Sequence, residues 1–218
     1  MASPNLQSEP PEAPTATPSI GSPDTSTRDR KDASKLWVVI ARDVAVLAAA
    51  LSLFAAADAW HQLTGATVSA ALSVVDGLLV GFLATGLLHE WGHYAGAKLS
   101  GGHAPLRPAT AFLPLFDFDY AHNTQDQFRA MSIGGNAAHW VAIAVLILGL
   151  PLSTLGQAAL ASSALGFGVF ASSIEFPVIW HAYHGSNGIE ALAKIPKDFL
   201  RRNGSYGLAA AAVAFLAL

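Results

Sequence analysis

The chain has 218 residues, of which 52% are hydrophobic and only 12% are charged. A soluble domain has about 25% charged residues, and here the apolar residues form long runs, so the composition excludes an ordinary soluble domain and favours a multi-span membrane protein. There is no cysteine, which excludes disulfides and thiolate metal sites and leaves only nitrogen and oxygen ligands for a metal ion. The formal net charge of -3 gives no sign of nucleic-acid binding.

The N-terminal segment, residues 1–35, is rich in Pro, Ser, Thr and Ala and has no apolar periodicity. Such a segment cannot bury enough apolar surface to offset the entropy lost on ordering. We therefore predict two regions, a disordered tail over 1–35 and a membrane-embedded domain over 36–218.

Four apolar runs follow the tail, each close to or longer than the ~20 residues that cross a bilayer as a helix. They cover residues 36–60, 68–99, 128–150 and 156–180. Arg42, near the start of the first run, is expected to reach toward the lipid headgroups, and Pro177 is expected to kink or end the fourth. Residues 189–203 are basic and amphipathic, as in an interfacial helix, and 206–218 are apolar but short, as in a partial span or a docked helix. The prediction is an all-α polytopic protein with about four to five transmembrane helices.

The connection between the second and third runs has a different character. Gly101 and Gly102 end the second helix, and three prolines over 105–114 exclude another long helix. Partial alternation of aromatic and acidic residues near the end of 111–120 predicts a short membrane-associated strand or hairpin. Thr124, which follows Asn123 and stands two residues before Asp126, resembles the start of a helix.

The basic residues predict an orientation. Of the twelve Lys and Arg residues, all except Arg42 lie in the tail, around the 100–127 loop, or after the fourth run, and the connections 61–67 and 151–155 carry none. Four spans place all these charges on one side, which the positive-inside rule makes cytoplasmic. The N-terminus would then be cytoplasmic, in the plasma or inner membrane if the source is bacterial.

The most informative motif is His89-Glu90-Trp91-Gly92-His93, in the last third of the second run. HExxH on a helix places two imidazoles on one face, one turn apart, where they can bind one metal ion. The glutamate between them can take a proton from a metal-bound water. Ionisable groups inside an apolar span are costly, which indicates a function.

A catalytic zinc site needs a third protein ligand. His184 is the first choice because it follows the proline-containing fourth span on the same membrane side as His93, and Gly185 permits an unusual backbone there. His181 is a close rival, and Glu175 and Asn187 are weaker candidates. His139 could line the site or could pack between helices.

The stretch 89–101, HEWGHYAGAKLSG, resembles the active-site helix of the site-2 protease family of intramembrane zinc metalloproteases. A loop with prolines and aromatic residues follows, and then Gly134-Gly135-Asn136, where that family has a glycine-led motif ending in asparagine. The resemblance implies that His89 and His93 bind Zn2+, that Glu90 activates water, and that Asn136 holds substrate or stabilises the oxyanion. The chain departs from the family at the third ligand, because no aspartate follows Pro177 until Asp198.

The expected function is that of a zinc metalloendopeptidase, which hydrolyses peptide bonds in or near transmembrane segments of membrane proteins. Its partners would be a membrane-protein substrate and the lipid bilayer, and no nucleic acid. One alternative is a catalytically inactive relative that binds membrane proteins as a scaffold. Another is a membrane di-iron oxidase, with His89/His93 and His181/His184 as its histidine boxes.

Overall fold

The computed structural model describes residues 25–111 and 113–218, with side chains described from residue 34 onward. Six helices follow one another in the described part of the chain: α1 Thr25–Thr64, α2 Thr67–Leu99, α3 Gln125–Gly149, α4 Leu155–Tyr183, α5 Gly188–Ala193 and α6 Phe199–Ala217. Within these ranges no strand forms, and the predicted all-α class is confirmed.

Four helices are long and apolar enough to cross a membrane, namely Ser34–Thr64 of α1 and the whole of α2, α3 and α4. The connections α1–α2 and α3–α4 are short, so consecutive helices run in opposite directions. Large apolar side chains face outward along these helices, for example Val75, Leu79, Val141 and Val145. A soluble bundle would bury such side chains, whereas lipid covers them in a polytopic membrane protein.

The first helix begins earlier than the predicted boundary of the tail. α1 starts at Thr25, so the last residues of the predicted 1–35 tail continue the helix of the first span. Residues 1–24 lie outside the described residues. The apolar part of α1 still begins at Ser34, as the sequence indicates.

The 100–124 loop folds back on itself but forms only an isolated antiparallel bridge between Leu106 and Phe116. The Arg107 amide donates to the Leu115 carbonyl at 3.1 Å, and the Asp117 amide donates to the Pro105 carbonyl at 3.0 Å. The expected hairpin is therefore present as a short paired loop. The expected end signals of the flanking helices are confirmed, because α2 ends before Gly101, which has a φ of 76°, and Thr124 forms a capping box with Gln127.

The centre of the fold is α2, which packs against both α3 and α4. Gly92 of α2 faces Gly134 of α3, and a Cβ on either residue would overlap the backbone carbonyl of the other. Near the middle of α2, a Cβ on Gly81 would overlap the backbone carbonyl of Leu160 in α4. These close approaches allow side chains of three helices to meet around the second half of α2.

The C-terminal region differs in detail from the expectation. Pro177 lies inside α4 without ending it, and the helix continues to Tyr183. The predicted interfacial helix over 189–203 is divided between α5 and the start of α6. The terminal helix α6 docks on α4, where Gly207 and Gly166 approach each other closely.

Candidate metal centre

His89 and His93 lie one turn apart in the second half of α2, on the face toward α3 and α4. Their Nε2 atoms are 3.1 Å apart. The side chain of His89 is 8% exposed and that of His93 is 14% exposed. The α-helical spacing expected from the motif therefore brings two imidazole nitrogens together in a largely buried position.

Glu175 of α4 completes a group of three. Its Oε1 atom lies 3.0 Å from His89 Nε2 and 3.0 Å from His93 Nε2. Among the described residues, these three side chains form the group of His and carboxylate ligands that could hold a metal ion. The structure thus selects a candidate that sequence reasoning ranked below His184.

His184 lies away from this group. It is exposed, its ring stacks on Trp180 with 3.9 Å between the centroids, and its Nδ1 lies 2.8 Å from the Trp180 carbonyl. The rival His181 has its Nδ1 3.3 Å from Lys194 Nζ. Both histidines belong to the last turn or the C-cap of α4, whereas Glu175 lies two turns earlier and faces α2. We therefore replace His184 with Glu175 in the candidate ligand set.

The orientation of His93 is fixed from α3. Its Nδ1 lies 2.9 Å from the Met131 carbonyl, which can only accept, so Nδ1 carries the hydrogen and a neutral ring presents the lone pair of Nε2 to the site. The ring lies against Gly135, where a Cβ would overlap it. Gly135, directly before Asn136, thus provides the space that this imidazole occupies.

Asn136 has a different environment from the one expected. Its amide nitrogen donates to Glu175 Oε2 and to the Ser132 carbonyl at 3.4 Å. Its Oδ1 accepts a hydrogen bond from Ser172 at 3.0 Å. In this geometry the amide orients the carboxylate of Glu175, and neither of its hydrogens is directed to a substrate oxyanion.

His139, for which the sequence left packing and a place in the site open, contacts the centre directly. It is completely buried, and its Nδ1 lies 2.9 Å from His89 Nδ1. One signal in the sequence points to this arrangement. Asn136 and His139 are three residues apart within an apolar run, as are Ser172 and Glu175, and this spacing places each pair on one helix face.

The motif residues between the two histidines are held by other elements. Glu90 is half-buried, and its Oε2 accepts a long hydrogen bond of 3.4 Å from the Leu115 amide in the paired loop.

The Trp91 indole donates to the buried Asp43 of α1 at 2.9 Å. Arg42 pairs with Asp43 at 2.7 Å and donates to the carbonyls of Ala109 and Ala111 at 2.9 and 2.7 Å, so it ties the loop to α1 and does not reach outward as expected.

The three candidate ligands fit a zinc ion by their chemistry and spacing. Zinc binds imidazole nitrogen and carboxylate oxygen at about 2.0–2.2 Å, and ligand atoms at that distance from a tetrahedral ion are ~3.3 Å apart. The observed separations of 3.0 to 3.1 Å are close to this value. Only a small outward movement of the side chains separates the present arrangement from a coordination site.

The chain was compared with protein-family models, with characterised proteins and with solved structures, and none of them matches it. The similarity to site-2 proteases therefore rests on the residues quoted above. The two imidazole nitrogens and the carboxylate oxygen of His89, His93 and Glu175 are the features of the chain that bear on its function.

Proposed function

We propose that the protein is an intramembrane zinc endopeptidase that resembles the site-2 proteases. The observation that carries the proposal is the meeting of His89 Nε2, His93 Nε2 and Glu175 Oε1 within 3.1 Å of one another. The adjacent Glu90 supplies the carboxylate that the motif provides for catalysis. Two histidines and a glutamate are the ligands of several zinc peptidases, which keep a further position open for water or substrate.

Zinc bound by these residues would polarise the scissile carbonyl and lower the pKa of water to ~7. Glu90 then acts as the general base: its carboxylate accepts a proton from the attacking water as the water oxygen bonds to the carbonyl carbon. Glu90 next gives that proton to the amide nitrogen as the C–N bond breaks, so that an amine leaves. Asn136 keeps Glu175 in position through its hydrogen bond to Oε2.

The substrate class follows from the surroundings of the site. The ligands lie on helices whose outer surfaces are apolar, so the peptide is best presented by a membrane protein with a transmembrane segment. The paired loop over 103–119 lies beside Glu90 through the contact with Leu115. An unwound substrate could add to this loop as an extended strand, because such pairing places a peptide bond without requiring a particular side chain.

The basic residues support an orientation within this proposal. With four crossing helices, the N-terminus, the 100–124 loop and the end of α4 lie on one side of the membrane, where the Lys and Arg residues are concentrated. The positive-inside rule makes this side cytoplasmic, in the plasma or inner membrane if the source is bacterial. The metal centre would then lie in the cytoplasmic half of the bilayer.

The test is to measure zinc and cleavage in the same preparations. The full-length protein, purified in detergent, should contain one zinc per chain when its metal content is measured by inductively coupled plasma mass spectrometry. It should also cleave a quenched fluorogenic peptide that carries a transmembrane sequence. Glu90→Gln should keep the zinc and lose cleavage by several orders of magnitude, because the general base is absent while the ligands remain.

Glu190→Gln, on the exposed surface of α5, is the matched control and should behave as the wild type. A wild-type protein that has neither zinc nor cleavage, and so does not differ from Glu90→Gln, would instead support the inactive scaffold. Two irons per chain would support the oxidase alternative.

A further inference from the structure

His139 of α3 links two of the three candidate ligands although it is not one of them. Its Nδ1 is 2.9 Å from His89 Nδ1, and its Nε2 is 3.1 Å from the Ser172 hydroxyl of α4. It is completely buried, and each of its ring nitrogens has one of these two side-chain partners. The direction of each hydrogen bond can be derived from partners that can only donate or only accept.

The orientation of the Asn136 side-chain amide is fixed by two acceptors. The Glu175 carboxylate and the Ser132 carbonyl both accept, so the amide nitrogen of Asn136 faces them and donates to both. Its Oδ1 therefore faces Ser172, at 3.0 Å. Because that oxygen can only accept, the single hydroxyl hydrogen of Ser172 is donated to Asn136.

Ser172 then has no hydrogen left for its other neighbours. The Trp140 indole, which can only donate, lies 3.0 Å from its hydroxyl oxygen. His139 Nε2 must also donate to this oxygen, so Nε2 carries the hydrogen of the ring. A neutral His139 consequently has its lone pair on Nδ1, which faces His89.

The tautomer of His89 follows from that lone pair. His89 Nδ1 donates to His139, which leaves the lone pair of His89 on Nε2, the atom that faces Glu175 and His93. The acceptor that His139 offers at Nδ1 therefore holds the His89 imidazole with its Nε2 lone pair directed at Glu175 and His93.

We propose that His139 is a positioning residue that fixes His89 in the metal-binding tautomer. It is part of a chain of four hydrogen bonds that runs from His89 through His139, Ser172 and Asn136 to Glu175, and each bond in the chain has one direction. The chain orients the candidate ligands on α2 and α4 together, although its middle members would not touch the ion. The inference rests on the proposed metal site and adds residues to it that the HExxH motif does not contain.

Three substitutions separate this role from packing. His139→Asn places an oxygen where Nδ1 lies and so keeps the acceptor for His89. His139→Gln instead places an amide nitrogen near the position of Nε2 and keeps the donor to Ser172. His139→Leu keeps neither the acceptor nor the donor. Zinc affinity is measured on the full-length protein in detergent, by competition with a chelating dye. His139→Asn should bind zinc nearly as the wild type does, whereas the Gln and Leu variants should bind about 10–100-fold more weakly, as expected when a partner of a metal ligand is lost.

A second measurement does not depend on zinc. In 15N-labelled, metal-free protein, the nitrogen shifts of the imidazoles should show His139 protonated at Nε2 and His89 at Nδ1, with His139 assigned from the signals lost in His139→Leu. Equal zinc affinity in the wild type and all three variants, equal loss in all three, or the opposite tautomers would each overturn the inference. If the wild type binds no zinc, the proposed function fails. The tautomers of His139 and His89 still decide whether the chain of hydrogen bonds has the directions given above.

Discussion

Two carboxylates between the helices of this bundle have partners of different kinds. Asp58 lies where α1, α2 and α4 meet and is 4% exposed. It accepts hydrogen bonds from Ser73 and Thr154, both at 2.7 Å, and from Gln62 and Gln157 at 2.9 and 3.2 Å. Each of these partners is a neutral group that donates to it.

Glu175 lies toward the other end of the same helices. The helical rise puts His89 ~24 Å along α2 from Ser73, the residue of α2 that contacts Asp58. Oε2 of Glu175 accepts from Asn136, but Oε1 faces two imidazole nitrogens. The bond of His93 to Met131 and the proposed chain of hydrogen bonds through His139 would direct both nitrogen lone pairs to the same point.

The difference indicates how a structural carboxylate differs from a candidate metal ligand inside a membrane bundle. Four donors satisfy Asp58, so nothing remains for an ion, and the cluster joins helices. At Glu175 three acceptor atoms meet, and such a group is stable only with a cation or a proton between them. Both carboxylates lie between packed helices, and the identity of the neighbouring atoms distinguishes their roles.

The largest expected effect is at Glu175. Glu175→Gln removes the charge of one ligand and keeps its shape, so zinc affinity should fall by more than the about 100-fold that the loss of an outer partner can cause. The metal content and dye-competition affinity of the full-length variant measure this. A variant that retains one zinc with unchanged affinity would show that Glu175 is not a ligand, and the two carboxylates would then both be structural.

A smaller and different effect is expected at Asp58. Asp58→Ala leaves four donors without their acceptor, of which Ser73 and Gln157 are buried, and should lower the free energy of unfolding by about 2–4 kcal/mol, measured by denaturant titration in detergent. Asp58→Asn should cost less, because one oxygen still accepts from Ser73 and Thr154. Zinc affinity should be unchanged in both variants, and a parallel loss of zinc would mean that the two sites are coupled.

The smallest effect concerns a third carboxylate, which also has histidine partners but lies in the exposed loop. The hydrogen bond from His122, supported by one from His103, lowers the pKa of Asp119 to about 2. A lowered pKa stabilises the loop above the ordinary value of 3.8, and this contribution disappears as the pH falls through about 2.

The carboxyl 13C shift of Asp119 should therefore titrate near 2 in the wild type and closer to 3.8 in His122→Ala, with zinc affinity unchanged. A titration at the ordinary value in the wild type would contradict this arrangement. A change in zinc affinity would show that an exposed carboxylate with histidine partners contributes to the metal centre, against the comparison drawn above.

The sequence alone determined the elements and half of the candidate metal centre. The apolar runs predict the four long helices, because their length and composition are local properties, and the glycine pair and Thr124 mark the ends of α2 and α3. The spacing of His89 and His93 predicts that their side chains share a face, because the helical repeat fixes it. Nothing beyond the chain's own local geometry is needed for these features.

Only the tertiary structure decided what the two histidines face. His184 follows the span that the sequence singled out, yet the last turn of α4 directs it outward, while Glu175, two turns earlier, faces α2. His139 and Asn136 join the site because Gly92 and Gly134 let α3 approach α2 closely. Such choices depend on how helices distant in sequence rotate and pack against one another, and the pattern of a single helix does not contain that information.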